Sequence, residues 1–380
     1  MNRMRPTRWV QAAALGCACL FAPIAWTPAW AQATAPRYTL STLTDAISLD
    51  TQEPLPLLWE EVPWLDSQDR VLGMRKQLNA FGAAFGALVG LGDGMATSAR
   101  PGAWAPVAAG SPPAALKPSN LSNTGTLSEL LAISPDGQWT VVYERGLAPY
   151  LRVMHGSVSV RVQPPSGSRV FLGAINNQGL AGGCLDNIKT GLRTPVLWQQ
   201  GSYTRLPTGE QPSGMVYSVN NAGAATGKVM PADQMGQRAA RWTGGQLQVL
   251  SGDQVAGSRG EHINERGTVA LVYAMPGDPQ IMRVGLWRGD QLTPLPEMRT
   301  LAALNNADEV LGQSTEGEAR AALWRNGQML DLTRELQAQG LLPSTARAYL
   351  GHSINDKGSV VLDVGDNNKY STVRAAAQRP

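Results

Sequence analysis

An internal repeat governs what this chain can fold into. Its marker is an apolar residue followed by an asparagine, with a tryptophan about 22 residues later. Four copies are clear, and they place asparagines at Asn176, Asn220, Asn264 and Asn305 and tryptophans at Trp198, Trp242, Trp287 and Trp324. The asparagines are 44, 44 and 41 residues apart. Because a fixed period of about 20–50 residues is the signature of repeat folds, the sequence predicts an array of similar units.

Each unit is predicted to consist of about four short antiparallel strands. A turn follows the asparagine, which tolerates left-handed backbone, and a glycine such as Gly179 supplies the positive φ that the turn needs. A strand of small residues comes next, and after a polar loop an apolar strand ends at the tryptophan. Two-residue hairpin turns such as Asn326-Gly327 then lead into a further strand.

A β-propeller is the all-β fold that suits such units. A four-stranded meander cannot bury both of its faces alone, whereas radial stacking buries each face against a neighbouring sheet. The tryptophan recurs at one strand position, so we interpret it as packing between neighbouring sheets. An exposed aromatic that stacks on a ligand is the alternative.

Weaker copies extend the series in both directions. Ser134 takes the place of the asparagine in one of them, with Met154 in the place of the tryptophan. Asn355 begins the last copy, which has residues 371–378 as its final strand and lacks an outer one. The alternating, β-prone residues 38–43 are predicted to fill that place, so that both ends of the chain build one blade and close the ring.

The segment before the clear repeats fits the pattern poorly. Asn79, followed by Trp104, marks a looser copy, so the sequence predicts six four-stranded blades or seven, and the residues just before Asn79 are equally compatible with a helix. We therefore assign residues 34–124 to the closing strand plus either a degenerate first blade or an insertion over one face. Residues 125–380 form the repeat blades, and residues 34–380 are expected to be a single domain.

The first 33 residues are predicted to be a cleaved export signal. Three arginines precede an uncharged apolar run, and small-x-small sequences place the cleavage after Ala31 or Ala33. An uncleaved anchor and a lipid-modified Cys17 are the alternatives. We therefore expect a secreted or periplasmic protein with no membrane span once the signal is removed.

Charge and cysteine content exclude several classes of partner and chemistry. The chain has 32 lysines and arginines and 29 acidic residues, and the leader accounts for three of the arginines. The rest of the chain is therefore neutral, with no basic field for nucleic acid or for an anionic membrane. Cys184 is the one cysteine outside the leader, so no intramolecular disulfide is expected. We interpret it as a buried packing thiol rather than a nucleophile.

The repeat resembles that of the bacterial extracellular repeat proteins called HAF. The resemblance rests on the apolar-Asn-x-x-Gly marker and on the apolar-apolar-Trp-x-x-Gly sequence, and it covers residues 125–380 well and residues 34–124 poorly. Residues 38–43 and 373–380 resemble that family's opening and closing strands, but the tripeptide that names the family is absent. The resemblance implies export and a propeller-like β fold, and it brings no established activity. Residues 133–139 also resemble the repeat of TolB-type propellers, which implies the same architecture.

No group of residues has the spacing of a known catalytic or ligand-binding motif. His155 falls in a hairpin turn, whereas His262 and His352 adjoin the asparagine marker of two units and would lie at similar heights. A shared site between them is one interpretation, and we favour turn-flanking roles. None of the three has metal-ligand spacing, and the sequence contains no calcium loop, phosphate loop or nucleophile elbow. We therefore predict no catalytic residue, no cofactor and no metal.

Two functions are compatible with this sequence. The first is an exported, monomeric propeller that binds or scaffolds without catalysis, with a protein or a glycan as its ligand. The alternative is a propeller hydrolase or lyase acting on extracellular glycan or peptide, with acidic residues contributed by several blades. The available acids are Glu60, Glu61, Asp136, Glu144, Glu261, Glu265, Asp308 and Glu309. A central pocket with three or more converging charged groups would favour the enzyme, and a channel lined by small residues and backbone would favour the binder.

Overall fold

The structure, a computed structural model, describes most of the compact unit Ala35–Pro380. The described residues are 36–47, 54–56, 63–78, 97–105, 118–120, 128–144, 148–231, 236–250, 255–315, 319–367 and 369–378. The predicted leader, with Ala31, Ala33 and Cys17, lies outside them. The described part of the chain is almost entirely β, as the repeat predicts.

The described residues form seven four-stranded antiparallel sheets, which are the blades of a propeller. The chain begins with β1 (Arg37–Thr42) and a two-stranded sheet of β2 (Thr44–Ile47) and β3 (Pro54–Pro56). Blade 1 contains β4 (Trp64–Leu65), β5 (Val71–Leu78), β6 (Thr97–Trp104) and β7 (Pro118–Asn120). Blade 2 contains β8 (Ser128–Ile133), β9 (Trp139–Glu144), β10 (Tyr150–His155) and β11 (Val158–Val162). Blade 3 contains β12 (Ser168–Ile175), β13 (Ala181–Asn187), β14 (Arg193–Gln199) and β15 (Ser202–Arg205).

The remaining blades continue this order along the chain. Blade 4 contains β16 (Ser213–Val219), β17 (Ala225–Met230), β18 (Arg238–Thr243) and β19 (Gln246–Val249). Blade 5 contains β20 (Gly257–Ile263), β21 (Val269–Met275), β22 (Asp278–Arg288) and β23 (Gln291–Pro294). Blade 6 contains β24 (Met298–Leu304), β25 (Val310–Ser314), β26 (Ala321–Arg325) and β27 (Gln328–Asp331), and helix α1 (Leu332–Ala338) follows it. Blade 7 contains β28 (Arg347–Ile354), β29 (Val360–Asp366), β30 (Lys369–Gln378) and β1.

Blade 7 is assembled from both ends of the described chain, which confirms the predicted closure. Its strand order is β1-β30-β29-β28, and β1 runs antiparallel to β30 with Leu40 opposite Ala375. The amide of Leu43, just beyond β1, donates to the carbonyl of Thr372 at 2.9 Å. The ring of blades is therefore closed by backbone hydrogen bonds between segments more than 300 residues apart.

Blade 1 settles the blade count at seven and corrects the position of its marker. The sequence suggested Leu78-Asn79, but Leu78 ends the second strand, β5, and Asn79 lies outside the described residues. The marker is Asp66, which follows the first strand, and Trp104 ends the third strand as predicted. Residues 71–78 form a strand, so the helical interpretation was wrong. The pairing with β6 inside the sheet outweighs the local helix propensity of this segment.

The tryptophans pack between neighbouring blades, as predicted from their recurrence. Trp198 is buried among residues of blade 2 such as Val141 and Val153, although its own strand belongs to blade 3. Trp242 packs in the same way on Ala174 of the preceding blade. Truncating a buried tryptophan costs roughly 3–5 kcal/mol, so each blade is stabilised largely by the blade before it.

The interface between blades 6 and 7 lacks a tryptophan and is filled by other residues. Ala375 lies opposite Val360, in the place that Trp198 takes opposite Ala181, and its methyl leaves space. Tyr38 from β1 and the apolar face of α1, including Leu336, pack into that interface. Burial of the Tyr38 phenol raises its pKa far above the ordinary value.

Replacing residues 37–43 with a glycine–serine sequence of equal length should lower the melting temperature by on the order of 10 °C or more. The replacement removes the partner of β30 and takes Tyr38 and Leu43 out of the core. Differential scanning calorimetry measures the change. Tyr38→Ala should reproduce part of the loss, and Thr39→Ala, on the exposed face of the same strand, is the control and should shift the transition by only about 1 °C. An unchanged transition in the replaced protein would contradict closure.

Candidate functional site

The asparagine of the repeat fixes its own turn through its side-chain oxygen. In blade 3, Oδ1 of Asn176 accepts from the amides of Gln178 and Leu180 at 3.0 and 2.9 Å. Gly179, with φ of 73°, donates its amide to the carbonyl of Asn176 at 3.1 Å. These bonds are local, so they satisfy the turn within one blade.

The side-chain nitrogen of the same asparagine reaches the next blade. Nδ2 donates to the carbonyl oxygen of the corresponding residue one blade further on, at 2.9–3.0 Å. The donor and acceptor pairs are Asn176 and Asn220, Asn220 and Asn264, Asn264 and Asn305, Asn305 and Asn355, and Asn355 and Asp66. We call the seven residues at this position the asparagine belt; they are Asp66, Ser134, Asn176, Asn220, Asn264, Asn305 and Asn355, and all are buried. The belt ties the blades together at one end of the channel.

The two belt positions without asparagine use other donors. Asp66 accepts from the amides of Gln68 and Arg70 at 2.9 and 2.8 Å, as an asparagine would, but a carboxylate has no donor to offer. The amide of Ser67 instead donates to the carbonyl of Pro135 in blade 2 at 2.8 Å. The link from blade 2 to blade 3 is made by the amide of Asp136, which donates to Oδ1 of Asn177 at 3.0 Å.

In two turns an aspartate stands where the others have glycine, and it adds a second link. Asp69 and Asp308 have φ of 64° and 60°, a region that aspartate tolerates better than most residues. Asp69 accepts from Nδ2 of Asn355 at 2.7 Å, and Asp308 accepts from Nδ2 of Asn264 at 2.6 Å. Burial alone would raise the pKa of Asp69, but hydrogen bonds from Lys357 and Asn355 outweigh it and hold that pKa below its ordinary value.

A second series of bonds, which we call the rim, lies beside the belt. The residues after four of the belt asparagines, Asn177, Asn221, Glu265 and Asn306, donate their amides to the side-chain oxygen of their counterpart in the next blade, at 2.8–3.0 Å. The members are Asn177, Asn221, Glu265, Asn306 and Asp356. The carboxylates of Glu265 and Asp356 therefore serve as acceptors between blades at this mouth of the channel.

Inside the belt, residues from the first strands of all seven blades enclose a cavity of about 370 Å³. Six of these strands carry a β-bulge three residues before the belt position, at Leu131, Gly173, Tyr217, Glu261, Ala302 and His352. A bulge leaves one residue out of the ladder and turns its side chain in a new direction. Four of the bulge residues line the cavity; they are Gly173, Tyr217, Ala302 and His352. This feature is not predictable from the sequence, because the bulge residues share no chemical character.

Two of the three histidines line this cavity. His262 and His352 come from blades 5 and 7, so the structure brings both to the height that the marker predicted. Burial lowers the pKa of His262, although Glu261 and a hydrogen bond with the Ala302 backbone oppose the change. His352 is buried, with Nε2 2.8 Å from Oδ2 of Asp363. The third, His155, is exposed and stacks on a tryptophan ring at 4.4 Å between centroids.

The carboxylates that the sequence offered as catalytic acids do not converge on the cavity. Glu60 and Glu61 lie outside the described residues. Of the rest, only Glu265 lines the cavity. The others are bound elsewhere: Asp136 by Ser134, Glu144 by Arg152, Glu261 by Arg259, Asp308 by Arg266 and Arg288, and Glu309 by Arg325.

Cys184 is fully buried, as predicted for a packing thiol, and burial raises its pKa to about 11. Among the described residues, no three histidine, cysteine, aspartate or glutamate side chains are grouped so as to hold a metal ion. No helix in the described part of the chain has the length and apolar character needed to cross a membrane.

Comparison with known proteins supports the fold. No family model and no curated sequence matches the chain. The β-propeller domain of the Trilobed protease from Pyrococcus furiosus is similar, with 8% identity and a TM-score of 0.50 over 82% of this chain and 91% of that one. A puromycin-hydrolyzing peptidase of Mycobacterium tuberculosis has 11% identity and a TM-score of 0.51 over 90% of this chain and 53% of its own, so the chain spans about half of that enzyme. TolB from Acinetobacter baumannii aligns with 10% identity and a TM-score of 0.40 over 75% and 60%.

At such low identity the likenesses to the Trilobed protease domain and to the puromycin-hydrolyzing peptidase show the propeller fold and no shared activity. The Trilobed protease domain is described as having an open velcro topology, whereas β1 and β30 pair in this chain. The resemblance to HAF repeats stays a prediction.

Asn220→Ala should lower the free energy of unfolding by about 2–4 kcal/mol, since it removes the turn acceptor and leaves the carbonyl of Asn264 without its donor. Asn220→Asp keeps the acceptor and loses only the donor, so a smaller loss of roughly 1–3 kcal/mol is expected. Asn221→Ala, in the more exposed rim, is the control and should cost less than about 1 kcal/mol. Urea denaturation measures all three. An Asn220→Asp variant as stable as the parent would show that the link between blades contributes nothing.

Proposed function

We propose that this protein is an exported β-propeller that binds a ligand, without transforming it, in the cavity inside the asparagine belt. The observation that carries the proposal is the division of the polar groups at this mouth. Most of the belt and rim side chains are engaged in joining blades, and the cavity wall inside them combines small and bulky apolar residues with the imidazoles of His262 and His352. Export is inferred from the leader sequence.

The cavity has the size and surface of a binding site for a small group or the end of a chain. Its volume of about 370 Å³ falls within the range of about 300–1,000 Å³ typical of ligand pockets. The wall has space for a ligand beside its small residues, which are Gly173, Ser218 and Ala302. It has aromatic surface at Trp64 and Tyr217. Because the surrounding belt is cross-linked by hydrogen bonds, the wall is pre-organised and little order has to be gained on binding.

His352 favours a hydrolase acting on glycan or peptide as the second candidate. His352 lines the cavity with Nε2 2.8 Å from Oδ2 of Asp363, and the other oxygen of that carboxylate, Oδ1, accepts from Oγ1 of Thr372 at 2.7 Å. A carboxylate in this position orients an imidazole as a general base. A bound compound recovered unchanged by mass spectrometry after long incubation would rule out this candidate, whereas turnover that His352→Gln abolishes, with binding kept, would establish it.

A thermal-shift screen of glycans and peptides, repeated on Gly173→Trp, tests the binding function. Gly173 lines the cavity, its backbone is outside the left-handed region, and a Cβ added there meets no atom within 4 Å. The indole should therefore fill the cavity without distorting β12, and compounds that stabilise the parent should lose at least roughly tenfold in affinity.

Gly277→Trp is the matched control. Gly277 lies in the exposed turn between β21 and β22, away from the cavity, and its Cβ position is equally open. Ligands should bind this variant as they bind the parent. Binding that survives in Gly173→Trp would place the ligand outside the cavity and overturn the proposal.

A further inference from the structure

A group of cationic side chains surrounds Tyr217, one of the residues that line the cavity. Lys228 lies on β17 with Nζ 5.8 Å from the centroid of the Tyr217 ring, and it donates to Oε1 of Gln237 at 2.9 Å. Arg259 lies on β20 of the next blade and forms an ion pair with Glu261. Arg193 lies on β14 of the preceding blade. We call Arg193, Lys228 and Arg259 the cation cluster.

Three blades therefore each contribute one positive charge to the surroundings of Tyr217. The backbone amide of Arg193 donates to Oγ of Ser213 at 2.7 Å, which ties its strand to the start of β16. Burial lowers the pKa of Lys228, and the positive charges of Arg259 and Arg193 lower it further. Nε of Arg193 is buried and has no hydrogen-bond partner among the described groups. A buried donor in this position calls for an acceptor.

The charges of the cluster do not balance within the described residues. Arg259 is paired with Glu261, and Arg193 lies opposite Asp186 in the pairing of β13 with β14. Lys228 contacts a neutral amide and an aromatic ring, and the carboxylate whose charge acts on it is that of Glu261, which Arg259 already binds. One positive charge is left over, which suits a monoanion such as a carboxylate better than a doubly charged phosphate.

The wall beside the cluster is apolar. In each of blades 3, 4 and 5, one residue lies five positions before the belt asparagine; these residues are Phe171, Met215 and Arg259. Because they occupy equivalent positions in the repeat, they share one level of the channel. Phe171 is 45% exposed, unusual for a phenylalanine inside a repeat. A peptide presents two groups at its carboxyl end, a side chain and a carboxylate. An apolar side chain suits Phe171 and Met215, and the carboxylate suits the cation cluster.

We propose that the cation cluster binds the terminal carboxylate of a peptide, with the side chain of the last residue packed on Phe171, Met215 and Tyr217. The proposal rests on the binding function proposed above and names its ligand class. An acidic sugar also carries a carboxylate, but it presents hydroxyl groups on most of its surface and gains less from this apolar wall.

N-acetyl-leucine and N-acetyl-leucinamide separate the charge from the rest of the ligand. Isothermal titration calorimetry on the leaderless protein should show the acid binding at least roughly tenfold more tightly than the amide. Lys228→Met, which keeps the side-chain length and removes the charge, should abolish that preference, and Lys228→Arg should retain it. Lys189→Met, at an exposed turn of blade 3, is the control and should leave it unchanged.

Several results would overturn the proposal. They are equal affinity for acid and amide, no binding of the acid at millimolar concentration, and tighter binding of galacturonic acid than of N-acetyl-leucine. Asp233 lies in residues 232–235, outside the described part of the chain. If the acid binds Asp233→Asn but not the parent, an internal carboxylate already neutralises the cluster, and the proposal fails.

Failure of this inference is distinguishable from failure of the proposed function. If acid and amide bind equally and both are lost in Gly173→Trp, the cavity binds a ligand and the carboxylate assignment alone is wrong. If Gly173→Trp binds both compounds as the parent does, the cavity is not the binding site. Melting curves of Lys228→Met and Lys228→Arg show whether a lost signal reflects a lost fold, because a folded Lys228→Met that keeps the preference for the acid also contradicts the proposal.

Discussion

The propeller depends on the carboxamide of asparagine, which has an acceptor and a donor on one short side chain. In Asn220 the oxygen accepts from the amide of Ala224 within its own turn, while the nitrogen donates to the carbonyl of Asn264 in the next blade. The same residue therefore bends the chain and joins two sheets. A carboxylate can accept within the turn but has no hydrogen to donate to the next blade. In blade 1, where Asp66 holds this position, the backbone amide of Ser67 therefore makes the link to the next blade.

Because each blade rests on the one before it, the hydrophobic core is divided into interfaces rather than gathered in one centre. The tryptophan of one blade is buried in a cluster that it shares with residues of its predecessor, so the core of each blade extends into the blade before it. The ring therefore has to close, and the closing interface is where the regular pattern is broken. Tyr38 and α1 supply there the volume that Ala375 does not, and this makes the first described strand part of the last core.

The sequence predicted the architecture because the residues that build it are local. Turn residues, hairpin glycines and a recurrent tryptophan act within a few positions of one another, and they indicated the strands, the closure and the height of His262 and His352. Blade 1 escaped detection because aspartates at positions 66 and 69 replace both asparagine and glycine, although they adopt the same turn. The bulges were not predictable, since Gly173, Tyr217 and His352 have nothing in common and the register that expels them is set by the partner strand.

The variation between blades is concentrated on the first strands. These strands vary at the positions three and five residues before the belt, and at the position three before it a bulge leaves the residue out of the ladder. The belt needs asparagine or an equivalent at its own position and places no demand on these two. A change there alters the channel without disturbing the links between blades. The near balance of 32 basic and 29 acidic residues in the sequence is an average that conceals a local excess, since blades 3, 4 and 5 put Arg193, Lys228 and Arg259 against two carboxylates among the described residues, those of Asp186 and Glu261. The positions that the repeat leaves unspecified therefore determine much of the lining of the cavity.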